Sequence, residues 1–139
     1  MSEPRSTLSA DEEKFLRWAR VARMATAGAD GRLHNVPISP VFDNGALLIA
    51  TDATSKKVRN LEANPRVTLV FDEYAEMWDL LRGVVVEGSV QVVRDGAEFT
   101  RARALLYEKY RQYEIDSPIE PETSVILAVT PERVTSWGF

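Results

Sequence analysis

The segment from Leu33 to Thr51, LHNVPISPVFDNGALLIAT, carries the strongest structural signal in the sequence. Asp43-Asn44-Gly45 separates two apolar runs, and Asn-Gly there indicates a hairpin because both residues tolerate the positive φ of a tight turn. The run before the turn, about Leu33 to Phe42, contains Pro37 and Pro40. Proline cannot donate to a strand ladder, so this strand lies at a sheet edge or bends. The segment therefore predicts two antiparallel strands, the second over Ala46 to Thr51.

The flanking segments extend this hairpin to a mainly β chain of about six antiparallel strands. Ser9 with Glu12 forms a capping-box pattern that predicts a first helix, and Gly88 indicates a bulge in a valine-rich strand. A doubly wound parallel fold would need a helix between almost every pair of strands, whereas antiparallel sheets protect their edges by closing into a barrel. We expect strands over Val21–Ala27, Arg66–Asp72, Gly83–Arg94 and Val125–Val129 with Arg133–Trp137 (a pair or one kinked strand), and helices over Ser55–Ala63 and Ala97–Tyr113.

Composition limits the classes of protein that this chain can represent. Its 139 residues predict one domain over 1–139, with 1–8 as a flexible tail. The net charge of −4 argues against a nucleic-acid or anionic-membrane surface. Cysteine is absent, which excludes disulfides and thiolate metal sites. No apolar run is long enough to span a bilayer and no signal-peptide pattern opens the chain, so we expect a cytoplasmic protein.

Familiar catalytic constellations are absent. The only histidine is His34, and no Gly-x-Ser-x-Gly elbow is present. Asp11-Glu12-Glu13 fits the acidic first turn of a helix, and Asp72-Glu73 fits a strand end, so neither group predicts a metal site. The catalytic residues are therefore unknown at this stage.

The segment Thr51-Asp52-Ala53-Thr54-Ser55-Lys56-Lys57 is the most informative for function. It follows a strand and opens a helix, where free N–H groups and the helix dipole disfavour lysine. A phosphate would accept those N–H groups and pair with both ammonium groups. Taken alone, the segment favours lysines that simply point into water.

At this point the sequence resembles the pyridoxamine 5′-phosphate oxidase-like superfamily. The opening hairpin, VARMATA at 21–27 with DGRLHNVP at 30–37, is similar to that of the family. SKKVRNL at 55–61 with NPRV at 64–67 resembles its phosphate-binding helix and next strand, and RVTSWG at 133–138 its terminal strand. DEY at 72–74 with Trp78, and KYRQY at 109–113, look like the deazaflavin-dependent branch. The resemblance implies a flavin-type split β-barrel whose cofactor lies at a homodimer interface.

The family pattern assigns cofactor-binding positions to this chain. The ring is expected along the second strand, the ribityl phosphate at the helix start, and the cofactor tail at the end of the third strand. The terminal tryptophan approaches the cofactor or is a core or dimer-interface aromatic. The expected residues are Val36, Pro37, Ile38, Ser39, Ala50, Thr51, Ser55, Lys56, Lys57 and Trp137.

Three hypotheses about function follow from the resemblance. The first is an oxidoreductase that moves hydride between the deazaflavin coenzyme F-420 and a small organic substrate, with a proton from solvent, Tyr74 or His34. The second uses FMN on the same fold, and the third is a non-enzymatic flavin- or haem-binding module. True pyridoxamine-phosphate oxidase activity is not expected. Its basic residue and lysine on the second strand are here His34 and Ser39, and the chain stops at Phe139.

Overall fold

The computed structural model describes all residues, Met1–Phe139, as one curled antiparallel sheet of seven strands with four α-helices and a 3-10 turn. The strands are β1 (Ala22–Ala27), β2 (Leu33–Ile38), β3 (Val41–Asp43), β4 (Ala46–Asp52), β5 (Arg66–Glu73), β6 (Arg82–Val93) and β7 (Ser124–Trp137). The helices are α1 (Ala10–Trp18), α2 (Lys56–Ala63), α3 (Gly96–Lys109) and α4 (Tyr113–Asp116), and the 3-10 turn spans Trp78–Leu80.

The order of strands requires the sheet to close on itself. The order is β2-β1-β5-β6-β7-β4-β3, so β2 and β3 lie at opposite edges. Only Ser39 and Pro40 separate these two strands in the chain, which limits the distance between them to about 11 Å. A flat sheet of seven strands would separate its edges by about 29 Å. The sheet therefore curls into the expected split barrel, with an open seam between β2 and β3.

The structure corrects the expected number of strands and some boundaries. The single strand expected from Leu33 to Phe42 is two strands, because Pro40 ends the ladder and the chain crosses the seam there. The final segment is one strand, and its register with β6 shifts at Glu87/Gly88, as the expected bulge requires. A Cβ at Gly88 would lie 2.1 Å from the carbonyl oxygen of Thr130, so this close approach needs glycine. The helix expected over Ala97–Tyr113 ends at Lys109.

Alternation along the strands divides the apolar residues between two cores. Inward-facing side chains such as Met24, Leu69 and Leu127 fill the barrel. The opposite face of β4 and β7 is covered by α3, whose Phe99 and Leu106 belong to a second, smaller cluster. The inner face of the sheet therefore packs within the barrel and the outer face of β4 and β7 packs on α3, whereas the outer face of β2, β1, β5 and β6 belongs to neither cluster.

Within residues 1–8, the expected tail, Ser2 and Arg5 form backbone hydrogen bonds with β7. The amide of Arg5 donates to the carbonyl of Val134 at 3.0 Å, and that of Ser2 to Ser136 at 2.7 Å. The Arg5 guanidinium also pairs with the carboxylate of Glu12, which is buried in the first turn of α1. A buried carboxylate needs a charged partner, and Arg5 supplies it.

Candidate functional site

The start of α2 is shaped by its own N-cap. Ser55 Oγ accepts from the amide of Val58 at 3.4 Å and from Thr51 Oγ1 at 3.3 Å. The hydroxyl pair joins the end of β4 to the helix start, so Thr51, Ser55 and the lysines that follow occupy one corner of the barrel. The amides of Lys56 and Lys57 precede the first hydrogen bonds of the helix and have no acceptor.

The charges at this corner are uncompensated. α1 carries Asp11, Glu12 and Glu13 in its first turn, whereas α2 has no acidic residue there. Lys56 is exposed and Lys57 half-buried, and no ion pair of the structure includes either of them. Two lysines and two free amides therefore occupy the start of α2 without an anionic partner. This donor set fits a phosphate.

β2 offers an open edge beside this corner. It pairs only with β1, which explains why Pro37 is tolerated within it. α2 is attached to the same hairpin, because Asn60 Nδ2 donates to Thr26 Oγ1 on β1 at 3.0 Å, and both groups are buried. The start of α2 therefore lies near the β1–β2 turn, whereas Val36–Ser39 lie towards the other end of β2.

The far end of β2 is held by a cluster that the sequence did not reveal. The carbonyl of Pro40, directly after Ser39, accepts from Lys109 Nζ at 2.8 Å and from the Tyr110 hydroxyl at 2.6 Å. Lys109 Nζ also donates to Ala19 O at 2.6 Å. Burial, with the nearby charge of Arg20, lowers the pKa of Lys109 to about 8. Burial likewise raises the pKa of Tyr110 above its ordinary value.

Ala50 is connected to the start of α2 only through the next residue, Thr51. It lies on the outer side of β4 and, with Thr51 and Tyr113, lines a small cavity of about 80 Å³ under the loop that contains Pro118. The expected tail contact at Ala50 is therefore next to α4, a helix that the sequence pattern did not predict.

Trp137 does not meet the other expected site residues within one chain. Three strands separate β7 from β2, a path of about 19 Å across the sheet. Its indole instead covers Gly83, where an added Cβ would lie 2.2 Å from Trp137 Cζ2. Within the protomer, Trp137 contacts β6 and is remote from Lys57.

Exposed apolar side chains offer surface for a second copy. Among the valines of β6, Val84 and Val86 are fully buried inside the barrel, whereas Val85 is half-buried. The exposed apolar side chains are instead concentrated between β5 and β6, where Trp78 is 74% exposed. Exposed aromatic and aliphatic groups in one segment are typical of an interaction surface. They are Tyr74, Met77, Trp78 and Leu80.

The remaining polar candidates are dispersed. His34 lies opposite Thr26 near the β1–β2 turn, and its Nδ1 is buried without a hydrogen-bond partner. Tyr74 is exposed just after β5, at the same end of the barrel as Ser39. No group of three His, Cys, Asp or Glu side chains is arranged to hold a metal ion. None of the helices is both long and apolar enough to cross a bilayer.

Comparison with known proteins agrees with this architecture. In sequence, the chain is 28% identical to the 5a,11a-dehydrotetracycline/5a,11a-dehydrooxytetracycline reductase of Streptomyces rimosus subsp. rimosus over 132 aligned positions, which cover 91% of this chain and 80% of that protein. In structure, a conserved hypothetical protein of Mycobacterium tuberculosis has a TM-score of 0.82 at 26% identity, with 95% of this chain and 86% of that chain covered.

Two further solved structures share the fold at lower identity. The haem storage protein HutZ of Vibrio cholerae has a TM-score of 0.78 at 20% identity, with 92% of this chain and 93% of that chain covered. An F-420 reductase has a TM-score of 0.73 at 23% identity, with 92% and 98% covered. The family model described as pyridoxamine 5′-phosphate oxidase matches residues 8–138. This match spans the hairpin, the α2 corner and the terminal strand, and the chain belongs to the pyridoxamine 5′-phosphate oxidase family.

Proposed function

We propose that this protein is an oxidoreductase that uses the deazaflavin coenzyme F-420 to exchange hydride with a small organic substrate at a homodimer interface. The observation that carries the proposal is the uncompensated corner of Ser55, Lys56 and Lys57. In a chain of this family, that corner matches a cofactor phosphate in charge and in free donors. The reductase similar in sequence and the F-420 reductase similar in fold support the oxidoreductase class.

The proposal assigns roles to the expected residues on β2, β4 and α2. Lys56 and Lys57 neutralise the phosphate, and Ser55 with Thr51 positions the helix start that receives it. The open edge of β2, Val36–Ser39, lines the ring, and Ala50 borders the tail. When bound, the deazaflavin supplies two-electron hydride transfer. Tyr74, at the Ser39 end of the barrel, is better placed than His34 to deliver a proton there.

The homodimer completes the site in this proposal. Trp137 lies three strands from β2 of its own chain in the sheet order, so the proposal assigns the tryptophan near β2 to the partner. The exposed segment from Tyr74 to Leu80 is covered in the same contact. A symmetric contact of this kind pairs the same surface on both chains. Sedimentation at micromolar concentration should give a dimer, and Trp78→Glu should give a monomer. A wild-type monomer would contradict the dimer proposal.

FMN on the same site is the second candidate, since one phosphate satisfies the same corner. Haem binding is the third, and the fold shared with HutZ and the unpartnered Nδ1 of His34 favour it. Pyridoxamine-phosphate oxidase activity is not proposed, because Ser39 stands where the oxidases carry a lysine. The absorbance of the cofactor-loaded protein separates the three, because deazaflavin, flavin and haem differ in spectrum.

Titration of Lys57→Ala and Lys56→Ala with F-420 and with FMN tests the corner. Each charge-assisted contact is worth about 1.5–3 kcal/mol, so each variant should bind about ten- to a hundredfold more weakly. The melting temperature without ligand should not fall, because no acidic group pairs with these lysines. Arg94→Gln is the control, because Arg94 is an exposed arginine just after β6 that pairs with Glu62 of α2. Unchanged binding of both cofactors by both lysine variants would refute the assignment.

A further inference from the structure

A basic cavity lies beside the proposed phosphate corner, between the β1–β2 turn and the flank of α2. Its volume is about 380 Å³, and only one of its lining residues is hydrophobic. Lys56, Arg59 and Asn60 line it from α2, since residues three and four apart share one face of a helix. Gly28, Asp30 and Arg32 line it from the turn.

The charge of this cavity differs from that of the whole chain. The chain carries a net charge of −4, but the cavity has three cationic side chains and one carboxylate. That carboxylate is occupied: Asp30 Oδ1 accepts from the amide of Arg32 at 3.0 Å, and Oδ2 lies 3.7 Å from Arg32 Nε. Lys56 and Arg59 take part in no ion pair. The cavity therefore has a net positive charge of two without a counter-ion.

The turn keeps this space open. A Cβ at Gly28 would lie 3.1 Å from Asn60 Oδ1 and 3.1 Å from Asp30 Oδ1, so any side chain at this position would crowd the cavity wall. Asn60 is held in place by its bond to Thr26. Both walls are thus braced by hydrogen bonds within the chain, and the cations stand on a formed surface.

The cavity is distinct from the phosphate corner, although the two are adjacent. Lys57 does not line it, because Lys57 is one position further around the helix than Lys56. A ligand with one phosphate satisfies the corner alone. A ligand whose chain continues past the phosphate with a second anionic group would pass Lys56 and enter the cavity.

We infer that the cavity lined by Lys56, Arg59 and Arg32 binds an anionic extension beyond the cofactor phosphate, and so selects cofactors that carry one over FMN. This inference rests on the proposed function and adds a cofactor specificity to it. The shared chemistry is a second anion, which has two sources: the second phosphate of a dinucleotide such as FAD, or the carboxylates of the F-420 tail. The extension pairs with Lys56 and Arg59, which take part in no ion pair, so binding breaks no ion pair of α2.

Titration of wild type, Arg59→Gln and Lys57→Gln with FMN, FAD and F-420 tests the inference, with Arg94→Gln as control. Lys57→Gln should lower the affinity for every cofactor that wild type binds by about tenfold. Arg59→Gln should change FMN binding by less than twofold and weaken at least one extended cofactor by about tenfold. A loss for FAD alone identifies phosphate as the extension, and a loss for F-420 alone identifies carboxylate.

Two results would overturn the inference while leaving the proposed function intact. In the first, Arg59→Gln weakens FMN as much as the extended cofactors, so the cavity holds the first phosphate itself. In the second, Arg59→Gln leaves the affinities for FMN, FAD and F-420 unchanged, while Lys57→Gln lowers them. If wild type binds none of the three, the proposed function fails, and the selectivity fails with it.

Discussion

The ion pair between Arg5 and Glu12 leads to a quantitative prediction about stability. Glu12 is 1% exposed. Burial alone would raise its pKa, but hydrogen bonds from Arg5, Ser136 and Ser9 outweigh burial and lower it from 4.5 to about 2. A difference of about 2.5 units corresponds to about 3.4 kcal/mol at neutral pH. The Arg5 side chain is one-third exposed, and solvent screening reduces this value, so we expect about 2 kcal/mol.

Glu12→Gln is the matching perturbation. Glutamine keeps the carbonyl that accepts from the amide of Ser9, since capping boxes use Glu or Gln, but it removes the charge that pairs with Arg5. Urea unfolding at pH 7 should show a loss of about 2 kcal/mol with an unchanged m-value.

The pH dependence identifies the cause. The folded-state pKa of Glu12 is depressed, so its contribution is complete above about pH 4.5 and is lost as pH falls towards 2. The difference between wild type and Glu12→Gln should therefore shrink to less than about 1 kcal/mol at pH 3. An equal difference at pH 7 and pH 3 would refute the reasoning, because the loss would then come from packing. A cycle with Arg5→Met should give a coupling energy of at least about 1 kcal/mol.

Three further predictions concern Trp137 and the cluster at Pro40. Gly83→Ala places a methyl group where the Trp137 indole lies. It should cost about 1–3 kcal/mol in thermal unfolding and shift tryptophan fluorescence, and Gly83→Ala/Trp137→Leu should recover most of the loss; no recovery would contradict the contact. The lowered pKa of Lys109, about 8 against 10.5, means that the unfolded chain binds more protons between these values, so stability rises with pH there. Lys109→Met should abolish this rise in unfolding measured from pH 8 to 10, and a rise that persists would point to another group. Tyr110→Phe removes the hydroxyl that donates to Pro40 and should cost about 1–2 kcal/mol by urea unfolding at pH 7. Because the pKa of Tyr110 is raised, part of the wild-type loss of stability above pH 10 should disappear in the same variant, and an unchanged loss would contradict its burial.

Local features of this fold could be predicted from the sequence because local chemistry decides them. The Asn44-Gly45 turn forms with φ of 49° and 79°, values that Asn and Gly tolerate. The capping box of Ser9 and Glu12 is present, and Ser55 caps α2. Each of these features depends on atoms a few residues apart, so the sequence pattern contains the whole cause.

For the candidate site, the sequence predicted the uncompensated charge at Lys56 and Lys57, again a local property of a helix start. The basic cavity was not predicted, because Arg32 and Arg59 are 27 positions apart in the sequence and only the packing of α2 on the β1–β2 hairpin brings them together. The cluster at Pro40 was not predicted for the same reason. Lys109 ends α3 and Tyr110 follows it, and these residues reach the seam only in the folded barrel.

The sequence by itself determined the antiparallel class of the sheet, the helix starts and the turns, because short-range sterics and hydrogen bonds control them. Only the tertiary structure decided the strand order, the division of one expected strand at Pro40 and the distance of Trp137 from β2. These depend on how seven strands share one curled sheet. The physical reason is that strand pairing and burial are set by partners distant in the chain, whose identity no local pattern of residues contains.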